Sequence, residues 1–258
     1  MRVLRPLPIR GKARVLGKFL PWKGERVANI FGCRMRLDLA DHGQRWIYIG
    51  NFEREETRWA KKWLSPGMTF VDVGANVGYY TLLASSCVGP KGKVFAVEPS
   101  PYAYTRLCRT VADNGLTNVV TLQAALGSAA GEGLLYPPPF DIQSQSMVPG
   151  DNGGVGETVR VKTLDECLDE WGSDRVDLLK MDVEGYEPQV LAGAQAALRS
   201  GKIRAMLCEF NDVWLRRAGG SAEDLYHLIE SAGFSNPYTR PSLHRDCLES
   251  CFFVHAKA

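Results

Sequence analysis

A glycine-rich turn carries the strongest chemical signal in this 258-residue chain. Residues 71–78 read Val-Asp-Val-Gly-Ala-Asn-Val-Gly and lie between a predicted strand and a predicted helix, where such turns bring backbone close to a ligand. A dinucleotide-binding turn needs a second glycine where this chain has Asn76, because only glycine admits the pyrophosphate there. Asp72 would also repel a pyrophosphate, whereas a carboxylate suits an ammonium or sulfonium group. The turn therefore predicts a cationic ligand without phosphates.

A carboxylate at the end of the second core strand specifies this ligand further. Glu98 follows Gly74 by 24 residues, and its two oxygens match the vicinal hydroxyls of a ribose. An acid at this position serves NAD equally well, so Glu98 alone does not identify the cofactor. The prediction depends on its combination with Asp72 and the glycine turn. A ligand with a ribose, a positive charge and no phosphate is S-adenosylmethionine. The sequence therefore predicts this cofactor rather than a dinucleotide.

Three ionisable residues end the fourth predicted core strand. Because side chains alternate along a strand, Lys180, Asp182 and Glu184 are expected on one side, at the edge of the sheet that faces the cofactor. Methyl transfer to a hydroxyl requires the loss of a proton, and Asp182 is the favoured base in the active site. For Glu184 the alternative is a structural role at the start of the next helix.

Two further predictions of catalytic groups, a metal ion and a histidine base, have weaker support in the sequence. Asp182 together with a carboxylate or amide from the end of strand five, residues 208–212, could bind Mg²⁺, as in the catechol-type methyltransferases. This possibility is not favoured, and the expectation is a site without metal. His42 and His227 are other possible bases, although a lone histidine usually has a structural role.

The hydrophobic pattern predicts strands alternating with helices from residue 69 onward, which implies a parallel sheet covered by helices on both faces. Before that point, two short strands at 34–39 and 47–49 precede a helix at 52–64 capped by Asn51. The predicted core strands are 69–73, 93–97, 119–122, 176–181 and 203–210, with helices at 78–88 and 101–113 among those between them, and an antiparallel pair at 234–238 and 250–255.

The segment 131–157 interrupts this alternation with three consecutive prolines and an Asp-Asn-Gly-Gly run. It is predicted as a long loop, and two interpretations remain open: a loop that covers the substrate, or a plain surface insertion.

Composition and charge exclude several classes of protein. With 45% hydrophobic and 23% charged residues, the chain is neither disordered nor fibrous. Residues 1–26 hold eight basic residues and one acidic residue, whereas the remainder carries an acidic excess. This acidic body argues against a nucleic-acid enzyme with a basic cleft. The basic arm is interpreted as a solvated strap or as a contact with anionic lipid or another polyanion.

The cysteines favour a reduced, cytoplasmic protein. The chain has seven of them, an odd number without a C-x-x-C pair, and the arm lacks the apolar stretch of a signal peptide. His244, Cys247, Cys251 and His255 lie within twelve residues, but Cys251 and His255 would stand about 13 Å apart on one strand, too far to share a zinc ion.

Several of these motifs together resemble the FkbM-type S-adenosylmethionine-dependent methyltransferases. The shared segments are Asp72–Gly78, Glu98-Pro99, Ala124–Gly127, Thr163–Asp165 and Lys180–Gly185, and the resemblance spans about residues 45–235. It implies an α/β fold with a Rossmann-like seven-stranded sheet, mostly parallel with the last strand antiparallel. It also implies transfer of a methyl group to a hydroxyl of a sugar, glycolipid or polyketide.

The resemblance and the residue patterns together define the expected organisation and site. Residues 1–64 are expected to form an extension that packs on a methyltransferase domain at 65–258. Methylation of nitrogen or carbon, on a nucleic acid among other acceptors, and a non-catalytic cofactor-binding scaffold are the alternatives. The expected catalytic residues are Lys180, Asp182 and Glu184, and the expected cofactor-binding residues are Asp72, Gly74, Ala75, Asn76, Gly78, Tyr79, Glu98, Pro99, Ser100, Ala124 and Asp182.

Overall fold

The structure is a computed structural model that describes residues 23–137, 145–150, 154–238 and 243–256. Most of the basic arm therefore lies outside the described residues, and its contact with a lipid or polyanion stays a prediction. Within the described ranges, no helix is both long and apolar enough to cross a bilayer. All seven cysteines are described, and each carries a free thiol.

The first described elements form a hairpin that packs on the core. Strands β1 (Glu25–Ile30) and β2 (Cys33–Asp38) pair antiparallel, and β2 corresponds to the first strand predicted from the sequence. Met35 and Leu37 of β2 are fully buried and lie in one apolar cluster with Leu82. This burial attaches the N-terminal segment to the rest of the molecule, while the domain boundary at residue 64 stays a prediction.

The prediction of a strand at 47–49 was wrong. Helix α1 (His42–Tyr48) occupies this position, because the side chain of Asp41 accepts a hydrogen bond of 2.9 Å from the amide of Gln44 and caps the helix. A pattern of three residues is too short to distinguish a strand from one turn of helix.

The following helix was predicted correctly, but its cap was not. Helix α2 (Arg54–Trp63) begins after Glu53, which takes the left-handed backbone conformation, and Asn51 lies outside the helix. The tryptophans of α2 pack against the core, and the Trp63 indole donates a 2.8 Å hydrogen bond to the carbonyl of Asp177.

A seven-stranded sheet lies at the centre of the fold and confirms the predicted fold class. Five neighbouring strands run parallel, and β12 pairs antiparallel with both of its neighbours. In spatial order the strands are β11 (Phe234–Ser235), β12 (Leu248–His255), β10 (Ala205–Asn211), β9 (Leu178–Met181), β3 (Thr69–Val73), β4 (Lys93–Val97) and β5 (Val119–Leu122). The chain reverses its direction of progress through the sheet between β3 and β9, and in such sheets ligands bind at the carboxyl ends beside this point.

Helices cover both faces of the sheet because alternate residues of its strands are buried on opposite sides. Phe70 packs in one apolar cluster and its neighbour Val71 in another, and both are fully buried. Ser100 and Pro101 start a helix as predicted, with the Ser100 hydroxyl accepting from the amide of Ala103. The helices are α3 (Tyr79–Val88), α4 (Pro101–Asp113), α5 (Leu164–Glu170), α6 (Glu187–Ala192), α7 (Gln195–Ser200), α8 (Asp212–Arg217) and α9 (Ala222–Ser231).

The predicted long loop begins with a strand of a further, three-stranded sheet, which corrects the prediction. Its strands are β6 (Ala125–Leu126), β7 (Gly131–Leu135) and β8 (Glu157–Lys162), with β8 in the middle. Glycines at alternate positions of β7 hid the strand pattern. Residues 138–144 and 151–153 of the predicted loop lie outside the described residues.

Candidate active site

A cavity of about 240 Å³ opens at the carboxyl ends of the central strands. The turn after β3 lies between two groups of polar residues because β3 lies between β4 and β9. We call the group after β4 the Glu98 end; it comprises Asn76, Glu98, Pro99 and Ser100. We call the group on the other side the Lys180 end; it comprises Glu53, Tyr80, Lys180, Asp182, Glu184 and Glu209.

The glycines of the turn are required by close packing. Gly74 has a φ of +79°, and a Cβ atom there would lie 1.9 Å from the carbonyl oxygen of Asp182. Gly78 has a φ of +94°, and its Cβ would lie 2.9 Å from Leu107 of α4. The amides of Gly74 and Ala75 both donate 3.0 Å hydrogen bonds to the carbonyl of Val97. The turn is therefore fixed against both neighbouring strands.

At the Glu98 end, the carboxylate is held by backbone. One oxygen of Glu98 accepts a 2.8 Å hydrogen bond from the Asn76 amide, and the other accepts a 2.9 Å bond from the Ser100 amide. Burial raises the pKa of Glu98 to about 7, although these two amides oppose the shift. Each oxygen keeps a second lone pair, so the oriented carboxylate can accept two hydroxyls of a ribose.

Asp72 lies beneath the turn instead of facing the cavity. It is fully buried, and its carboxylate accepts a 2.7 Å hydrogen bond from the hydroxyl of Thr81. Burial raises the pKa of Asp72, opposed chiefly by Lys180, its partner on the adjacent strand. As far as the described residues define the cavity, neither Asp72 nor Gly78 lines it. The expected direct contact of Asp72 with a cofactor therefore has no counterpart in this geometry.

The other residues predicted from the sequence are brought together. Those that line the cavity are Gly74, Ala75, Asn76, Tyr79, Glu98, Pro99, Ser100, Ala124, Lys180, Asp182 and Glu184. For the last three, the reasoning from strand alternation was incomplete, because β9 ends at Met181 and Glu184 lies in a turn with a φ of +51°.

A buried ion pair dominates the Lys180 end. The Lys180 ammonium lies 3.0 Å from the carboxylate of Asp182 and 4.8 Å from the ring centre of Tyr80. Burial alone would lower the pKa of Lys180, but Asp182, Asp72 and Glu53 outweigh burial and raise it. Lys180 therefore stays charged in a site where acidic groups predominate.

The remaining acids crowd together. Glu184 accepts a 3.0 Å hydrogen bond from the side-chain amide of Asn211. One oxygen of Glu209, in contrast, is buried without a partner among the described residues. Burial, followed by the charges of Asp182 and Glu184, raises the pKa of Glu209 well above its usual range. The surroundings of Glu209 therefore favour its protonated form.

One arrangement at this end matches the Mg²⁺ alternative. Asp182, Glu184 and Glu209 each offer a carboxylate oxygen, and these three oxygens lie within 4.8 Å of one another. Such spacing lets oxygen ligands surround one cation. Lys180 already supplies a positive charge to Asp182, however, and this competes with a metal ion.

Sequence reasoning missed residues from three parts of the chain. Glu53 and Tyr80 line the cavity from the N-terminal segment and α3, and Gln145 and Met147 line it from the segment predicted as a loop. The position of Glu53 depends on its left-handed backbone, which no sequence pattern indicated.

The two histidines considered as bases lie elsewhere. His42 accepts a 3.1 Å hydrogen bond from the Trp46 indole, and His227 lies exposed on α9 beside Glu223 and Glu230. Neither histidine lines the cavity in the part of the chain that the structure describes.

The sheet order, the glycine turn after β3 and the acid after β4 define an S-adenosylmethionine-dependent methyltransferase fold. The Methyltransferase FkbM domain matches residues 72–235. The chain therefore belongs to the FkbM methyltransferase family, which confirms the resemblance seen in the sequence.

Two curated methyltransferases are similar to part of this chain. Hexuronic acid methyltransferase AglP of Haloferax volcanii is 29% identical over 175 residues, which are 68% of this chain and 66% of that protein. Methyltransferase sdnD of Sordaria araneosa is 34% identical over 154 residues, covering 48% of this chain and 59% of that protein. The chain thus spans less than two thirds of the length of either relative.

Among solved structures, the methyltransferase FkbM from Methylobacillus flagellatus aligns with 82% of this chain and 52% of its own. It shows 16% identity and a TM-score of 0.47. At that score the likeness adds nothing to what the sheet topology already shows.

Proposed function

We propose that this protein transfers the methyl group of S-adenosylmethionine to a hydroxyl of a sugar, glycolipid or other small-molecule acceptor. The carrying observation is the Glu98 carboxylate, which two backbone amides orient toward the cavity at the switch point of the sheet. When bound, S-adenosylmethionine supplies an electrophilic methyl group. The acidic residues of the Lys180 end suit a positively charged donor and a hydroxyl that must lose a proton.

The chain's own residues divide into two tasks in this proposal. Glu98 and the backbone from Gly74 to Asn76 would hold the ribose and fix the donor, which favours reaction by positioning. Asp182, Lys180 and Glu184 would line the place of transfer. The printed name of the Haloferax relative, a hexuronic acid methyltransferase, supports a sugar as the acceptor.

Calorimetry with S-adenosylhomocysteine tests the cofactor assignment. Glu98→Ala removes both acceptor oxygens, and we expect the affinity to fall at least about tenfold, or about 1.4 kcal/mol. Glu157→Ala, which removes an exposed glutamate of β8, serves as the matched control and should bind normally. Equal binding by Glu98→Ala would remove Glu98 from the site, and binding of NAD in its place would overturn the proposal.

A methyl-transfer screen tests the acceptor class. Radiolabelled S-adenosylmethionine would be offered with panels of sugars, glycolipids and hydroxylated polyketides, and the product linkage determined by mass spectrometry and NMR. We expect an O-methyl product. A product methylated on nitrogen or carbon would contradict hydroxyl transfer while leaving the cofactor assignment intact.

A further inference from the structure

The Lys180 end contains more carboxylates than the proposed reaction needs, and the structure distinguishes among them. A general base must face the cavity, have an oxygen free to reach the acceptor and be ionised near the working pH. Four acids face the cavity there: Glu53, Asp182, Glu184 and Glu209.

Three of these acids are poorly suited to receive a proton. The Lys180 ammonium donates a 3.0 Å hydrogen bond to one oxygen of Asp182, and the side-chain amide of Asn211 donates a 3.0 Å bond to one oxygen of Glu184. Burial and the surrounding acids raise the pKa of Glu209 well above its usual range, which favours the form that already carries a proton. A proton transferred to Asp182 or Glu184 would have to compete with the bound donor or go to the other carboxylate oxygen.

Glu53 differs from the other three in its backbone. Its φ of 36° and ψ of 59° place it in the left-handed region, where a residue with a side chain costs about 1–2 kcal/mol. Such strain persists where surrounding structure enforces it, and it often lies at functional sites. Here the left-handed residue lies immediately before α2 and lines the cavity.

A second, independent feature points to a ligand at the same wall. Tyr80 is 3% exposed and lines the cavity, and its hydroxyl reaches the carboxylate of Glu53 in a contact weaker than a hydrogen bond of ordinary geometry. A buried phenol normally has a partner. The carboxylate of Glu53 lies close enough to raise the pKa of Tyr80 further, after burial. An acceptor hydroxyl between these two groups would satisfy both.

We propose that Glu53, which lies outside the matched family domain, is the general base for the acceptor hydroxyl, and that the Tyr80 hydroxyl binds the same acceptor. This assignment rests on the proposed function. The acceptor oxygen gives its proton to Glu53 and uses the freed electron pair to bond the methyl carbon. The bond from that carbon to sulfur breaks, its pair stays on sulfur, and Glu53 later releases the proton to water.

The charges around Glu53 agree with this role. Burial raises the pKa of Glu53 to about 7, with Lys180 opposing the shift and Asp182 adding to it. A base with a pKa near the working pH combines ionisation with proton affinity. The titratable and charged groups that face Glu53 are Glu56, Tyr79, Tyr80, Lys180, Asp182 and Glu209.

Kinetics with an acceptor found in the screen test the proposal. Glu53→Gln keeps the size of the side chain, and we expect kcat to fall by about 10²–10⁴-fold while S-adenosylhomocysteine affinity stays within about twofold. Glu55→Gln, an exposed neighbour on α2, should retain full kcat. In the wild type, kcat should rise with pH through about 7, because the raised pKa delays ionisation of Glu53. This rise should disappear in Glu53→Gln and persist in Asp182→Asn.

An NMR titration decides the question without an acceptor. The experiment uses protein labelled with ¹³C at the glutamate carboxyls and saturated with S-adenosylhomocysteine. Glu98 and Glu187 also have pKa values of about 7, so the resonance of Glu53 is identified by its absence from Glu53→Gln, and it should titrate near pH 7. A midpoint near the ordinary glutamate value, or a Glu53→Gln enzyme with near-normal kcat, would overturn the proposal. Failure of the protein to bind the cofactor would instead contradict the proposed function, so the two failures are distinguishable.

Discussion

The two ends of the cavity satisfy their polar groups in opposite ways. At the Glu98 end, both carboxylate oxygens already accept hydrogen bonds from backbone amides of the turns after β3 and β4. At the Lys180 end, an oxygen of Glu209 is buried without a partner among the described residues, the hydroxyl of Tyr80 makes only weak contacts, one of them with Glu53, and one lysine faces several acids. The first end is organised before a ligand arrives, whereas the second gains partners only when one binds.

This difference indicates where specificity resides. A site with all of its polar groups paired binds one ligand shape at little reorganisation cost, which suits a cofactor common to a whole family. Unpaired buried groups reject ligands that cannot bond to them, which suits an acceptor that varies between family members. Glu53, from outside the matched domain, contributes to the second end alone.

The largest effect is expected where the two ends meet. Gly74→Ala would place a Cβ 1.9 Å from the carbonyl oxygen of Asp182, so we expect a loss of unfolding free energy of at least about 3 kcal/mol, together with loss of cofactor binding. Urea unfolding and calorimetry measure the two effects.

A matched glycine separates packing from backbone conformation. Gly67 has a similar φ of +86°, but nothing in the described structure lies within 4 Å of its Cβ position. Gly67→Ala should therefore cost only about 1 kcal/mol, the price of a left-handed alanine. Equal costs for the two variants would contradict the close packing that joins the ends.

The Glu98 end could be predicted from the sequence because it follows from local rules. The strand, the glycine turn and the acid after the next strand are contiguous patterns, and the parallel sheet brings their ends together. Asp72 shows the limit of this reasoning: its sequence position was informative, but only packing shows that it binds Thr81 beneath the turn.

The Lys180 end was only partly predictable. Lys180 lies in β9 and Asp182 and Glu184 follow it, so these three were found, but Glu53 and Tyr80 come from segments whose placement depends on tertiary packing. The left-handed backbone of Glu53 is imposed by its surroundings rather than by residue type, since glutamate disfavours it. Likewise, α1 replaced a predicted strand because of one capping interaction of Asp41.

A medium effect is expected from a carboxyl buried behind the Lys180 end. Glu187 is 1% exposed, and one of its oxygens accepts a 3.1 Å hydrogen bond from the Val183 amide. Burial raises its pKa to about 7, and backbone hydrogen bonds oppose this shift while Asp182 adds to it. In the unfolded chain it ionises at its ordinary, lower pKa, so its contribution to stability is complete below about pH 4.5 and is lost as the pH rises through about 7.

Glu187→Gln keeps an acceptor for the Val183 amide but cannot ionise. The unfolding free energy of the variant should therefore increase relative to that of the wild type, by on the order of 2 kcal/mol, as the pH rises from about 4.5 to 8. Parallel urea titrations at several pH values measure the difference. If the two unfolding free energies differ by the same amount at every pH in this range, ionisation of Glu187 does not destabilise the folded protein and the prediction is wrong.

Chelation of divalent metal is expected to have no effect on turnover. The three oxygens of Asp182, Glu184 and Glu209 are spaced for a cation, but Lys180 already supplies a positive charge and the raised pKa of Glu209 disfavours its charged form. Turnover in EDTA should therefore equal turnover with added Mg²⁺, and calorimetry of the cofactor-bound protein should show no Mg²⁺ binding. If EDTA abolishes activity, Mg²⁺ restores it and Glu209→Gln weakens the ion, the Lys180 end is a metal site. The unpaired oxygen of Glu209 would then belong to the metal and not to the acceptor, and the contrast between the two ends would need a different explanation.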